Sequence, residues 1–273
     1  MRLIITGANG AAGSEVLRQA LLDPRVTTVT TLTRSPLPAY LVPSPAPGSP
    51  DKLTQILHAD FGSYPQSLLD RLAGTDAVIW ALGTSSVGVA EPDYTRVTHE
   101  YAVKAAKAFS ALKPHSDGDG DGSRSEPFVF AFLSGARTTQ TPSKSTTGFF
   151  STPMWARVKG RTEADLAEVP GVRSYAFRPA FIVPVALPPA EYRGGYNTPF
   201  FQAVGKVLGS VSASGAVGAD VLAKAMIRAC VEGGGGGGPR GIPGWDGKGD
   251  RGDRGVFENA EILRMGRGLA ARD

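Results

Sequence analysis

Six short apolar runs punctuate the chain and are continuous rather than alternating. They are Arg2–Thr6 (RLIIT) and residues 26–32 (VTTVTTL), 55–59 (QILHA), 77–82 (AVIWAL), 128–133 (FVFAFL) and 173–177 (RSYAF). Strands buried on both faces read this way, as in a parallel sheet sandwiched between helices. Helical patterns lie between them. After Pro92, the residues Val97, Tyr101, Ala105, Ala108 and Leu112 recur at spacings of four, four, three and four. That spacing predicts one apolar stripe for a helix leaning on a sheet. Alternating β and α units with right-handed crossovers predict a doubly wound α/β domain of Rossmann type. We expect one such domain over residues 1–273.

Three segments break the pattern. Residues 35–50 carry six prolines, residues 115–126 form a polar Gly/Asp tract, and residues 233–255 open with six glycines. All three fall between predicted elements, where insertions cost little, and are expected to be mobile surface loops. Residues 184–214, apolar and Gly-containing, are expected to form a small C-terminal substrate cap. Composition sharpens this reading. Hydrophobic residues make up 41% of the 273 and charged residues 20%, enough to bury a core. No run of about 18 apolar residues exists, so no membrane-spanning helix is expected. The first residues show no secretory leader pattern, and the single cysteine, Cys230, allows no intrachain disulfide; a cytoplasmic location is expected. The net charge of +4 is interleaved in sign and calls for no nucleic acid.

Directly after the first run comes Thr6-Gly7-Ala8-Asn9-Gly10-Ala11-Ala12-Gly13, followed by a helical stretch. Glycines spaced G-x-x-G-x-x-G serve a tight turn, the approach of backbone to a pyrophosphate, and close helix–strand packing. The helix start then offers free N–H groups and a positive dipole end to phosphates. Position in a βαβ pattern makes dinucleotide binding the expectation, with Gly7, Asn9, Gly10, Ala11 and Gly13 around the phosphates. Which dinucleotide is decided where the second strand ends. A carboxylate there would hold a ribose 2′-hydroxyl, whereas arginine accommodates a 2′-phosphate. Arg34 occupies that place and no carboxylate lies between it and Asp51, so NADP(H) is expected over NAD(H). Asp60 and Phe61 follow the third strand beside the expected adenine site. Leu82 and Gly83 end the fourth, under the middle of the cofactor.

These features together resemble the atypical short-chain dehydrogenases. The similarity rests on the TGxxGxxG start, Arg34, the Ala59-Asp60-Phe61 turn, Asp76-Ala77-Val78-Ile79 leading to Leu82-Gly83-Thr84, and Phe177-Arg178-Pro179. The branch it most resembles is the Tat-interacting-protein-like group with its fungal nucleoside-diphosphate-sugar-epimerase-like relatives. Resemblance runs from Met1 to about Glu232. Further along, Ala219-Asp220-Val221-Leu222-Ala223-Lys224-Ala225 is similar to the family's C-terminal helix, and Phe257-Glu258-Asn259-Ala260-Glu261-Ile262 to its closing strand.

The family's catalytic signature is Tyr-x-x-x-Lys, and the match is partial. Lys159 aligns with the lysine, which the resemblance implies holds the nicotinamide ribose; Trp155 stands at the tyrosine. No tyrosine occurs between residues 102 and 174 to slip into register. An indole N–H donates a hydrogen bond but releases no proton near neutrality. Trp155 is therefore either an aromatic packing residue or the border of a degenerate cleft. Ser134 falls where the family's serine stands and is a candidate for oxyanion assistance. Losing an acid–base group removes about 10²–10⁴ in rate, while orientation alone supplies about 7–11 kcal/mol. A bound NADPH would then suit an acceptor needing no strong acid, such as a quinonoid or conjugated ring. Two readings follow: an NADP(H)-dependent oxidoreductase acting on an unknown small molecule, and a non-catalytic dinucleotide sensor that reports to a protein partner.

Other signals are weaker. Asp117, Asp119 and Asp121 imitate a calcium loop, but Phe128 stands where its closing Glu belongs, and no metal site is expected. Gly83-Thr84-Ser85-Ser86-Val87 misses the last glycine of a hydrolase elbow. Cys230 reads as a small buried residue in a helix.

Overall fold

All six apolar runs become strands of one parallel sheet, and a seventh strand closes it. The computed structural model describes residues 1–41, 51–112, 127–140, 152–184, 215–233 and 255–268. In chain order the elements are β1 (Arg2–Thr6), α1 (Ala11–Leu22), β2 (Thr28–Thr33), β3 (Leu53–Leu57), α2 (Gln66–Leu72) and β4 (Ala77–Trp80). Then come α3 (Glu91–Thr95), a π turn (Arg96–Glu100), α4 (Tyr101–Phe109), β5 (Phe128–Leu133), α5 (Met154–Ala167) and β6 (Val172–Arg178). The C-terminal part holds β7 (Phe181–Val183), β8 (Ala216–Gly218), α6 (Ala219–Gly233), β9 (Val256–Glu258) and α7 (Asn259–Gly266). The main sheet runs β3-β2-β1-β4-β5-β6-β9, and β7 pairs with β8 as a separate two-stranded sheet that the apolar pattern did not indicate. The stretch similar to the family's C-terminal helix lies in α6, but of the expected closing strand only Phe257 and Glu258 are in β9, and Asn259–Ile262 begin α7, whose capping box at Glu258 and Glu261 ends the strand.

The chain winds outward from β1 to β3 and then returns to build the other half from β4. The reversal lies between β1 and β4, and in open α/β sheets ligands bind outside the strand ends at such a point.

Each strand feeds both faces of the sheet, which is why its run is unbroken. Leu3, Ile5, Ile79, Val129 and Ala131 face α1, α6 and α7 in a core that includes Val16, Leu17, Leu222 and Met226. Ile4, Val78, Trp80, Phe128, Phe130 and Phe132 face the other way, with Ala102, Ala105, Ala106, Phe109 and Leu166. The second core is aromatic: Trp80 stacks on Phe130 at 5.6 Å and meets Phe61 edge-on at 5.9 Å. Cys230 lies buried in the first core, and burial pushes its thiol pKa up.

Three expectations need correction. The helix after Pro92 forms, but its deepest residues are Tyr94, Thr98, His99, Ala102, Ala105, Ala106 and Phe109, with Val97, Tyr101 and Ala108 only half-buried. A π turn takes an extra residue and rotates the stripe relative to a regular helix. The fourth strand stops at Trp80 rather than at 82, because Ala81 and Leu82 bend to pass Gly7. Residues 35–41 are not wholly surface: Leu37 is buried in the first core. Residues 42–50, most of the 184–214 cap, the 115–126 tract with its calcium-like carboxylates, and residues 234–254 lie outside the described residues.

Candidate cofactor and catalytic site

The glycine turn sits at the end of β1, beside the reversal point. Gly7 has φ +70°, and a Cβ there would lie 2.4 Å from the Ala81 carbonyl oxygen. A Cβ on Gly13 would lie 2.1 Å from the Gly7 carbonyl oxygen. Both positions therefore need glycine, one for the turn against β4 and one for the seat of α1 on the turn. Gly10 is exposed and forms the N-cap of α1 with extended backbone and no side-chain cap, and no acidic residue lies in the first turn. An uncapped, uncharged helix start facing solvent is a ready anion site. Among the described residues, this is the observation that a pyrophosphate would fit.

Asn9 ties this turn to the end of β2: its side-chain amide donates to Ser35 Oγ at 3.1 Å and to the Ser35 carbonyl at 3.4 Å. Arg34 is thereby placed next to the turn, exposed, with no ion pair among the described residues. Asp60 is exposed, and its Oδ1 accepts the Gly62 N–H at 2.8 Å. Phe61 is 1% exposed and packs in the aromatic core, so only its backbone reaches the strand end. Leu82 is half-buried, and Gly83 is exposed with open space beside it.

The second half of the site is built by α5 against the end of β5. Lys159 donates to the Ser134 carbonyl at 2.8 Å. Burial pushes its pKa down to about 8, against the opposing pull of the Glu163 carboxylate. A Cβ at Gly135 would stand 3.6 Å from Trp155 Cζ3 and 3.7 Å from Lys159 Nζ, so the residues at the signature positions do converge over the strand end. Trp155 is half-buried and belongs to neither core. Ser134 converges only through its backbone. Its side chain is buried, and the hydroxyl donates to Glu163 Oε1 at 2.5 Å. The group suggested as an oxyanion donor is engaged inside the protein. Just beyond, Arg137 takes φ +64°, the one non-glycine residue in that region among the described residues. Such strain costs about 1–2 kcal/mol and is held by its surroundings, here the Ala136 N–H on the Pro179 carbonyl.

Glu163, which the signature reading passed over, is the hub beneath this face. Its side chain is 1% exposed. It receives Arg178 Nε at 3.0 Å and Nη2 at 2.5 Å, besides the Ser134 hydroxyl and the Gln140 amide at 3.3 Å. Arg178 also reaches Glu258 at 2.9 Å, and Glu258 closes a capping box at the start of α7. One sequence signal could have found it: Trp155, Lys159 and Glu163 recur at four-residue intervals, and a carboxylate on the packed side of a helix needs a buried partner. Among the described residues no three His, Cys, Asp or Glu side chains gather as metal ligands, and no helix is long and apolar enough to cross a membrane.

No family profile matches the chain. "Leucinostatins biosynthesis cluster protein T" of Purpureocillium lilacinum is 31% identical over 112 residues, 41% of this chain. The match spans 39% of that protein, about two-fifths of its length. Among solved structures, the dTDP-glucose 4,6-dehydratase DesIV of Streptomyces venezuelae, with NAD bound, superposes with a TM-score of 0.55 at 17% identity, over 85% of this chain and 73% of that one. MoeE5 in complex with UDP-glucose and NAD gives 0.54 at 14%, over 98% and 82%. The chain spans about half (54%) of the Bordetella bronchiseptica enzyme WbmG. At such identities the likeness is one of fold. Sheet order, glycine turn and superposition together define the protein as a Rossmann-type α/β protein.

Proposed function

We propose that the protein binds NADP(H) across the strand ends of β1, β4 and β5 and acts as an oxidoreductase of the atypical short-chain dehydrogenase type. The observation that carries this reading is the pairing of two half-sites around the topological reversal: the uncapped glycine turn with Arg34, and the Lys159–Trp155 face over Gly135. The α1 N-terminus holds the pyrophosphate, Arg34 the 2′-phosphate, and Lys159 the nicotinamide ribose. NADPH, when bound, supplies a hydride. With Trp155 at the tyrosine position and the Ser134 hydroxyl spent on Glu163, the side chains here orient and exclude water rather than donate a strong acid. The substrate class that fits is an acceptor whose reduced form needs no concerted protonation, such as a quinonoid or enone. A place in a biosynthetic cluster, as the name of the leucinostatin relative describes for that protein, accords with such a role.

The same two observations favour a second reading, a dinucleotide-binding sensor without turnover. Titration with NADPH and NADH, followed by NADPH consumption with quinones, enones and ketones, separates the two. Tight NADPH binding with turnover of a conjugated acceptor supports the oxidoreductase. Tight binding without turnover favours the sensor, and no binding of either nucleotide removes both.

A further inference from the structure

Lys159 does not hold its place alone. Its ammonium rests on the Ser134 carbonyl, and the hydroxyl of that same residue is clamped to Glu163. Glu163 in turn is fixed by two nitrogens of Arg178 from β6 and by Gln140. We propose that Glu163 is a positioning residue for Lys159: through Ser134 it fixes the peptide that seats the ammonium toward the nicotinamide ribose. The inference rests on the cofactor reading above for its consequence, but its physical basis lies in this chain alone.

The geometry separates this role from that of a plain structural ion pair. A buried Glu–Arg pair needs neither a serine hydroxyl nor a lysine one helical turn away. Here the serine carries both contacts, one on its side chain and one on its carbonyl, so a shift at Glu163 is transmitted to Lys159 through a single residue. Among the described residues the charges around Lys159 are these. Glu163 lies on its own helix, Arg178 at the end of β6, and Glu258 at the start of α7. Elsewhere on α5, Asp165 pairs with His99 at 2.6 Å and Arg157 with Glu91 at 2.9 Å, from the π turn and α3. Burial lowers the Lys159 pKa and the Glu163 carboxylate raises it, so removing the carboxylate lowers it further. The ammonium, and with it the grip on the ribose, is then lost at a lower pH.

The test is a Lys159 titration by lysine-selective NMR in the cofactor-free protein, its resonance identified with Lys159→Met, alongside NADPH and 2′,5′-ADP affinity against pH. The bisphosphate lacks the nicotinamide ribose and reads only the adenine side. Glu163→Gln is expected to lower the Lys159 midpoint by about half a unit to one unit. The alkaline loss of NADPH affinity should move down with it, while 2′,5′-ADP binding stays unchanged. Ser134→Ala keeps the carboxylate but cuts the link, and is expected to shift the Lys159 resonance and weaken NADPH several-fold, again sparing 2′,5′-ADP. A folded Glu163→Gln protein with an unmoved Lys159 midpoint overturns the proposal. Should that variant not fold, Ser134→Ala with an unmoved Lys159 resonance overturns it. A wild-type protein that binds neither nucleotide refutes the cofactor reading instead, and the titration of Lys159 still decides the coupling.

Discussion

The two halves of the site are built on different physical terms. At the glycine turn the requirements are local: one backbone with positive φ, one close approach of helix to turn, one helix start left open. Each is met by residues within seven positions, and the spacing survives intact from Gly7 to Gly13. Over β5 the requirements are distributed. Lys159 stands one helical turn from Trp155, and the Ser134 hydroxyl is engaged in a buried cluster with Glu163 and Arg178 from neighbouring elements. A local turn of the first kind stands or fails as a unit, whereas the second depends on contacts brought in from several elements. The contrast divides the proposal into a binding half and a reaction half.

The largest expected effect probes the reaction half. Trp155→Tyr places a phenol one helical turn from Lys159, whose nearby ammonium lowers its pKa. NADPH-dependent reduction of a carbonyl panel should rise by an appreciable part of the roughly 10²–10⁴-fold that a general acid supplies. A destabilised tyrosine variant with no gain would mean that Trp155 is packing, and would put the sensor reading ahead. The glycine turn is tested by Gly7→Ala, which meets both a left-handed backbone, about 1–2 kcal/mol, and an overpacked contact with Ala81, about 1–3 kcal/mol. Thermal unfolding should report a loss of about 2–5 kcal/mol together with lost NADPH binding; a change under about 0.5 kcal/mol would show that this half is not the rigid unit described. Arg34→Ala should weaken NADPH by about 1.5–3 kcal/mol and leave NADH nearly untouched, as for one charged hydrogen bond. Equal loss for both cofactors, seen by calorimetric titration, would remove the NADP assignment. The smallest effect belongs to the rim of the cluster. Glu258→Gln loses a half-exposed ion pair with Arg178, and should cost under about 1 kcal/mol in the same unfolding measurement. A larger loss would move the weight of the network from Glu163 outward.

Much of the fold could be read along the chain because a doubly wound sheet writes itself locally. Val78 and Trp80 face one core and Ile79 the other, so 77–80 had to be a continuous apolar run, and β5 likewise from Phe128 to Phe132. Where reading failed, the cause was non-local. The helix stripe after Pro92 was rotated by a π turn packed against α5, and Ala81 left its strand because Gly7 approaches it from 74 residues away in sequence. The two-stranded β7–β8 pair joins segments of three residues each, too short to carry a period.

What the sequence by itself determined was therefore the order of strands and helices, the dinucleotide-type turn and the absence of a tyrosine before Lys159, since each depends on residue type and short spacing. Only the tertiary structure decided that Asn9 brings the turn and Arg34 together, that Phe61 offers its backbone alone, and that the Ser134 side chain serves Glu163 rather than the cleft. The reason is that a hydroxyl on a given residue has a fixed chemistry but no fixed partner. Its partner was set by a buried carboxylate 29 residues along the chain, which could not be left in the interior without donors.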